Sequence, residues 1–183
     1  MVTETKLAFL DVETTGVVPG RDEVIEIATI LTDLDLKEID RFEAKIQFDA
    51  SKMTPQAAAV NGYRPEDWKD AVPFIKWSAW LERHNPYGQV SIPVGHNVEF
   101  DYAMIVERYY KPYGKFLALA YNKIDTRALA VAMRVAKAID VPNVKLGTVA
   151  DALGIKYSTA HRAMADAEIC KEIFLRVVGV FQS

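Results

Sequence analysis

The sequence predicts an α/β fold in which residues 1–183 form a single domain around a mixed β-sheet. Three strand patterns come first: an apolar run at 7–10 and partly alternating stretches at 23–31 and 38–48. Only short turns separate these stretches, which predicts an antiparallel meander. A further strand at 90–95 is expected to lie parallel to the first. The alternation of strands with helices from there on is typical of α/β domains.

Helices are predicted by the spacing of apolar residues and by capping signals. The expected helical segments are 55–60, 73–84, 98–110, 127–137, 144–153 and 161–181. Thr54 and Pro55 supply an N-cap and a first helical residue, and Gly62 follows the end of that helix. The aromatic residues of 73–84 lie at helical spacing, so they are predicted to pack in the core.

The composition predicts a globular protein without a broad charged surface. Half of the 183 residues are hydrophobic, 26% are charged, and no apolar run approaches the roughly 20 residues that span a bilayer. The polar N-terminus is not a signal peptide. The single cysteine, Cys170, excludes a disulfide within the chain and is expected in a reducing, cytoplasmic setting.

The net charge of −3 argues against binding of a nucleic-acid backbone by the whole surface. If four carboxylates belong to one metal site, however, the rest of the chain is close to neutral. Local binding of nucleic acid through metal ions and a few basic residues therefore stays open.

The first candidate site residues are Asp11 and Glu13, which come directly after the apolar run and before a Thr-Thr-Gly turn. Alternate residues of a strand point to the same side, so the two carboxylates are expected side by side. They would repel each other unless a cation lay between them, and a divalent metal such as Mg²⁺ or Mn²⁺ suits oxygen ligands. The alternative is the exposed end of a strand, because an Asp-x-Glu triplet by itself is common.

Two later stretches supply further carboxylates. Asp101 falls in the first turns of a helix that follows a strand parallel to the first, and this places it beside Asp11 at the same sheet edge. Asp166 is a polar residue among alanines near the start of the last helix, five residues after His161. The alternative for Asp101 is a surface residue favoured near a helix N-terminus by the helix dipole. The alternative for the second stretch is a solvated aspartate and a surface histidine.

Taken together, the four carboxylates suit two metal ions roughly 3.5–4 Å apart, as used for in-line phosphoryl displacement. Such a reaction needs a general base that titrates near neutrality, and His161 is the candidate.

Three segments carry a resemblance to a known family. Asp-Val-Glu-Thr-Thr-Gly at 11–16, His-Asn-Val-Glu-Phe-Asp at 96–101 and His-Arg-Ala-Met-Ala-Asp-Ala at 161–167 are similar to the three motifs of the DnaQ-like 3′–5′ exonucleases of the DEDDh type. The resemblance covers nearly the whole chain. It implies a ribonuclease-H-like fold, with a five-stranded mixed sheet in the order 3-2-1-4-5 flanked by helices.

The resemblance also implies roles for individual residues. Asp11, Glu13, Asp101 and Asp166 would bind two divalent ions, Mg²⁺ or Mn²⁺, and His161 would be the general base. Substrate would be bound by Thr14, Thr15, Gly16 and Asn97.

The expected activity is removal of nucleoside monophosphates from the 3′ end of single-stranded or frayed DNA, with a DNA polymerase as a candidate partner and no membrane association. The alternatives are the same chemistry on RNA or short oligoribonucleotides, and a catalytically silent module that docks on a polymerase. Monomer and homodimer both remain open. The segment 109–116, which interleaves basic and aromatic residues, is expected either to stack bases or to pack its tyrosines in the core.

Overall fold

The computed structural model describes residues 5–111, 114–157 and 162–181. Within them, five strands form one sheet: β1 (Lys6–Thr14), β2 (Val24–Thr32), β3 (Glu38–Lys45), β4 (Ser91–Gly95) and β5 (Ile124–Asp125). The α-helices are α1 (Pro55–Asn61), α2 (Ile75–His84), α3 (Val98–Ile105), α4 (Thr126–Val135), α5 (Leu146–Ala152) and α6 (Ala163–Phe181). None of these helices is long and apolar enough to cross a membrane.

The sheet is mixed and has the strand order β3-β2-β1-β4-β5. β1 pairs antiparallel with β2, which pairs antiparallel with β3, whereas β4 is parallel to both β1 and β5. The predicted meander, the parallel strand and the 3-2-1-4-5 order are therefore confirmed. With only two residues, β5 is too short to give a strand pattern in the sequence.

The bounds of β2 and β4 differ from the predicted ones by one residue, and those of β1 and β3 differ by more. Pairing of β1 with β2 continues past the apolar run to Glu13 and Thr14, so the acidic residues lie within the strand and not after its end. β3 ends at Lys45, sooner than predicted, because Ile46 leaves it to bridge Val72. The α1 caps are as predicted: the Thr54 side chain accepts from the Ala57 amide at 3.1 Å, and Gly62 adopts a left-handed φ of 65°.

Alternate residues of β1 face different helices. Ala8, Leu10 and Val12 pack in a cluster that includes residues of α2 and α3. Leu7 and Phe9 pack in a second cluster with α6. Because side chains alternate along a strand, residues 11 and 13 also face α6.

Helix α3 continues into a π-helical turn, Val106–Tyr110. Such turns are rare and shift the direction of the side chains that follow. Here the ring of Tyr109 stacks on Phe74, with centroids 3.7 Å apart, and Tyr110 is buried. These two tyrosines therefore belong to the core and not to a base-stacking surface, while residues 112–113 of the same predicted segment lie outside the described residues.

Glu23 holds the connection between β1 and β2 in place. Its carboxylate accepts from Lys52 at 2.7 Å, from Arg108 of the π-helical turn at 2.5 Å and from the Asp49 amide at 2.8 Å. Its own amide donates to the Thr15 hydroxyl at 2.9 Å. One buried carboxylate thus joins the end of α3, the turn after β3 and the loop that follows Glu13.

Candidate active site

The N-terminal half of α6 carries small residues where it packs against β1. Ala163 and Ala167 are both fully buried against β1 and share a face with Cys170. Asp166 lies on that same side of α6, in its first turn. The small side chains let the helix backbone come close to the sheet, so that Asp166 reaches the acidic residues of β1.

Asp11, Glu13 and Asp166 converge at this point. Each offers one carboxylate oxygen, and these oxygens all lie within 4.8 Å of one another. All three residues are half-buried, so the cluster is open to solvent on one side. The structure therefore brings together three of the four predicted ligands from two separate elements.

Asp101 of α3 lies beside the cluster. β4 pairs with β1 only as far as Phe9 and Val94, and beyond that pair the Val12 amide donates to Asp101 Oδ1 at 3.0 Å. The turn from β4 into α3 is tight: a Cβ on Gly95 would lie 2.9 Å from the Cβ of Val98. This geometry holds Asp101, which is 4% exposed, in the gap left beside β1.

The carboxylates raise one another's pKa. Burial, followed by the charges of Asp101, Asp166 and Glu13, raises the pKa of Asp11 well above its ordinary value. Burial and the charges of Asp166 and Glu26 raise the pKa of Glu13 to about 7, although Arg162 opposes the increase. The pKa of Asp101 is also raised, mainly by burial, despite its hydrogen bond from Val12. Among the described residues, the ionised forms of Asp11, Glu13 and Asp101 are therefore disfavoured by burial and by the neighbouring negative charges.

The donor set suits a hard divalent cation. Every converging group is a carboxylate, and magnesium and manganese prefer oxygen ligands, whereas zinc and copper sites usually include nitrogen or sulfur. A cation would also relieve the repulsion that raises the pKa values. The cluster is therefore a candidate site for divalent metal ions.

A cavity of about 480 Å³ opens beside Glu13. Its polar side includes Thr14 and Arg21, and its apolar side includes Val60 of α1 and Phe100 of α3. A cleft with an apolar wall next to a cluster of charged groups is the usual form of a small-ligand site.

Only two of the four predicted substrate-binding residues line the cavity. Thr14 and Gly16 line the cavity. Thr15 is fully buried, and its hydroxyl accepts from Glu23. Asn97 is exposed at the start of α3 in a left-handed conformation, and its side chain accepts from Arg127 at 3.3 Å. His161, the predicted general base, lies outside the described residues.

Sequence reasoning missed two residues beside the cluster, Glu26 and Arg162. Glu26 pairs directly across the sheet from Glu13, is 2% exposed, and accepts from Arg162 at 3.1 Å. A signal was present, because Glu26 interrupts the apolar β2, every residue of which is buried. A charged residue in a strand buried on both sides requires a partner.

Comparison with known proteins adds a family match. A family model described as exonuclease, RNase_T, matches residues 8–174. DNA polymerase III PolC-type of Lacticaseibacillus paracasei is 33% identical over 170 residues, which cover 91% of this chain and 11% of that protein. DNA polymerase III subunit epsilon of Treponema pallidum is 26% identical over 169 residues, which cover 92% and 74% respectively. The chain thus spans only a small part of the PolC-type relatives.

Solved structures of exonuclease I share the fold. A product-bound exonuclease I superposes with a TM-score of 0.75 at 21% identity, over 97% of this chain and 44% of that one. Exonuclease I of E. coli in complex with a dT13 oligonucleotide gives 0.73 at 22% identity, over 96% and 41%. At this identity the match concerns the fold alone, including the five-stranded mixed sheet.

Proposed function

Since this chain belongs to the RNase_T family of DnaQ-like exonucleases, we propose that it hydrolyses single-stranded or frayed DNA from the 3′ end and releases nucleoside monophosphates. The observation that carries this proposal is the convergence of the oxygens of Asp11, Glu13 and Asp166 within 4.8 Å, with Asp101 beside them. Such a cluster serves phosphodiester hydrolysis better than it serves a binding surface, because a polyanion is repelled by carboxylates that have no cation.

The four carboxylates would hold two divalent ions, Mg²⁺ or Mn²⁺. When bound, the ions would acidify a water molecule and stabilise charge on the phosphate. The chain contributes a rigid set of oxygens, since Asp11 and Glu13 are fixed by the central strand and Asp101 by the Val12 amide. His161 would take the proton from the attacking water.

The cavity beside Glu13 would receive the terminal nucleotide. Val60 and Phe100 offer an apolar surface to the base and sugar, while Thr14 and Arg21 line the polar side. A pocket for a single terminal unit next to the reacting phosphate explains cleavage from an end. A deoxynucleotide is favoured, because the relatives are a PolC-type DNA polymerase III and a DNA polymerase III epsilon subunit, and E. coli exonuclease I is described in complex with a dT13 oligonucleotide. A polymerase is accordingly the proposed partner.

The test is digestion of 5′-labelled single-stranded DNA and RNA of one sequence in Mn²⁺, with Asp101→Asn as the control. We expect a ladder of DNA that shortens from the 3′ end and is absent with the variant. Release of the labelled nucleotide first would contradict the proposed direction, and a faster RNA ladder would contradict the substrate. A chain that leaves both substrates intact would be the silent docking module.

A further inference from the structure

Glu26 is a fifth carboxylate at the edge of the cluster. It lies on β2 directly opposite Glu13, and its side chain is 2% exposed. A buried carboxylate is costly unless it is paired. Its partner is Arg162, whose Nε lies 3.1 Å from Glu26 Oε1.

Arg162 links that carboxylate to the helix that carries Asp166. It is the residue immediately before α6, and its carbonyl accepts the hydrogen bond of the Asp166 amide at 3.0 Å. One residue is therefore bonded through its side chain to the sheet and through its backbone to a metal-ligand candidate. The Arg162 side chain thus ties the first turn of α6 to β2.

Another ion pair between α6 and the sheet provides a comparison. Arg41 of β3 and Glu168 of α6 are 2.9 Å apart, but both side chains are about half exposed. Exposed pairs constrain structure weakly. In the Glu26–Arg162 pair the arginine is also 48% exposed, but the Glu26 carboxylate is 2% exposed and lies opposite Glu13.

We propose that the Glu26–Arg162 pair is a positioning element of the active site, which holds the first turn of α6 so that Asp166 stays within coordinating distance of Asp11 and Glu13. The inference rests on the proposed function, because the position of Asp166 matters only if these oxygens bind metal. Neither residue is assigned a contact with substrate.

The two partners allow positioning to be distinguished from simple electrostatics. Arg162 is a cation near the cluster and counteracts the increase in the pKa of Glu13. If charge alone mattered, Arg162→Met would increase the Mn²⁺ affinity and Glu26→Gln would decrease it. If the pair positions Asp166, both variants decrease the Mn²⁺ affinity.

The experiment measures Mn²⁺ affinity by calorimetry, and kcat and KM on single-stranded DNA, for Glu26→Gln, Arg162→Met and the double variant. Glu168→Gln, on the same helix but in the exposed pair, is the matched control. We expect each single variant to lose about 10- to 100-fold in Mn²⁺ affinity, as for other residues that orient metal ligands. The double variant should lose no more than either single one, because both disrupt the same pair. In the variants of the pair, kcat should fall while KM for DNA changes less than about twofold. In the Glu168→Gln control, Mn²⁺ affinity, kcat and KM should all change less than about twofold.

Several outcomes would overturn the inference. Tighter Mn²⁺ binding by Arg162→Met would mean that Glu26 attracts or binds the metal ion and does not position Asp166. Unchanged Mn²⁺ affinity with a lower melting temperature would mean that the pair only stabilises the fold. If Arg162→Met does not fold, the Glu26→Gln and double variants still decide, because neither buries an unpaired carboxylate. A wild-type chain that binds Mn²⁺ but digests no DNA would contradict the proposed function alone.

Discussion

Glu13 and Glu23 lie at the two ends of the connection between β1 and β2, and the protein treats them in opposite ways. Burial would raise the pKa of Glu23, but hydrogen bonds from Lys52, the Asp49 amide and Arg108 outweigh it and lower that pKa to about 2. For Glu13, burial and then the charges of Asp166 and Glu26 raise the pKa to about 7. The same side chain is a structural anchor at one position and part of a candidate cation site at the other. Neighbours, and not residue type, decide between these roles.

The largest expected effect is on the rate of DNA cleavage, which should depend on the acidic cluster and not on the anchor at Glu23. Asp101→Asn keeps an oxygen that can accept from the Val12 amide but removes a charge from the cluster. We expect it to reduce cleavage by more than about 100-fold, since even residues that only orient a metal ligand cost about 10- to 100-fold. Glu23→Gln, assayed at a temperature at which it is folded, should keep activity within a few-fold of wild type. Initial rates on labelled single-stranded DNA measure both, and equal losses would remove the distinction.

Stability should change in opposite directions at the two positions. At pH 8 without metal, Glu13→Gln removes a carboxylate that is ionised against its raised pKa, so we expect the free energy of unfolding to increase by up to about 3 kcal/mol. Glu23→Gln removes a carboxylate that the fold stabilises in its ionised form, so we expect a decrease of about 3 kcal/mol. Urea unfolding of the two variants is the measurement. Destabilisation by both would mean that the cluster is already neutralised by the protein.

The pH dependence of stability sharpens the same contrast. The raised pKa of Glu13 contributes stability that is present below about pH 4.5 and is lost as the pH rises through about 7. The lowered pKa of Glu23 contributes stability that is present above about pH 4.5 and is lost as the pH falls through about 2. Metal-free protein should therefore lose stability between pH 5 and 8.

Divalent metal should cancel that loss. If Mn²⁺ binds the ionised carboxylates of the folded state as proposed, it would add about 2.7 kcal/mol of stability at 100 times its Kd. We expect the increase in melting temperature on adding Mn²⁺ to grow from pH 5 to pH 8 in wild type and to be much smaller in Asp101→Asn. An increase that does not depend on pH would indicate binding away from the cluster.

The smallest expected effect concerns the cavity. Val60 lies on the apolar wall of the cavity and is 57% exposed. Val60→Ala removes methyl groups that would contact the terminal nucleotide, and we expect KM to rise by about fivefold with kcat unchanged. Val135→Ala, an exposed position on α4, is the control and should leave KM unchanged. A fall in kcat in place of the rise in KM would place Val60 in contact with the reacting group.

The sequence was sufficient for the parts of the molecule that depend on local patterns. Short links between alternating stretches predicted the meander, and the three motifs predicted the family and the acidic residues that converge. The burial of Glu26 was not predictable in this way, because its partner, Arg162, is 136 residues away. The π-helical turn likewise depends on contacts of Arg108 and Tyr109 with residues that precede them by 85 positions.

The alanines of α6 have a consequence for how such chains are recognised. Ala163 and Ala167 carry no functional group, yet their volume sets the gap between α6 and β1. A related chain with leucine at position 163 could keep every acidic residue of the three motifs and still hold Asp166 too far from Asp11 and Glu13. A search for the acidic residues alone would assign activity to that chain. Side-chain size at these two positions is therefore part of the definition of the active site.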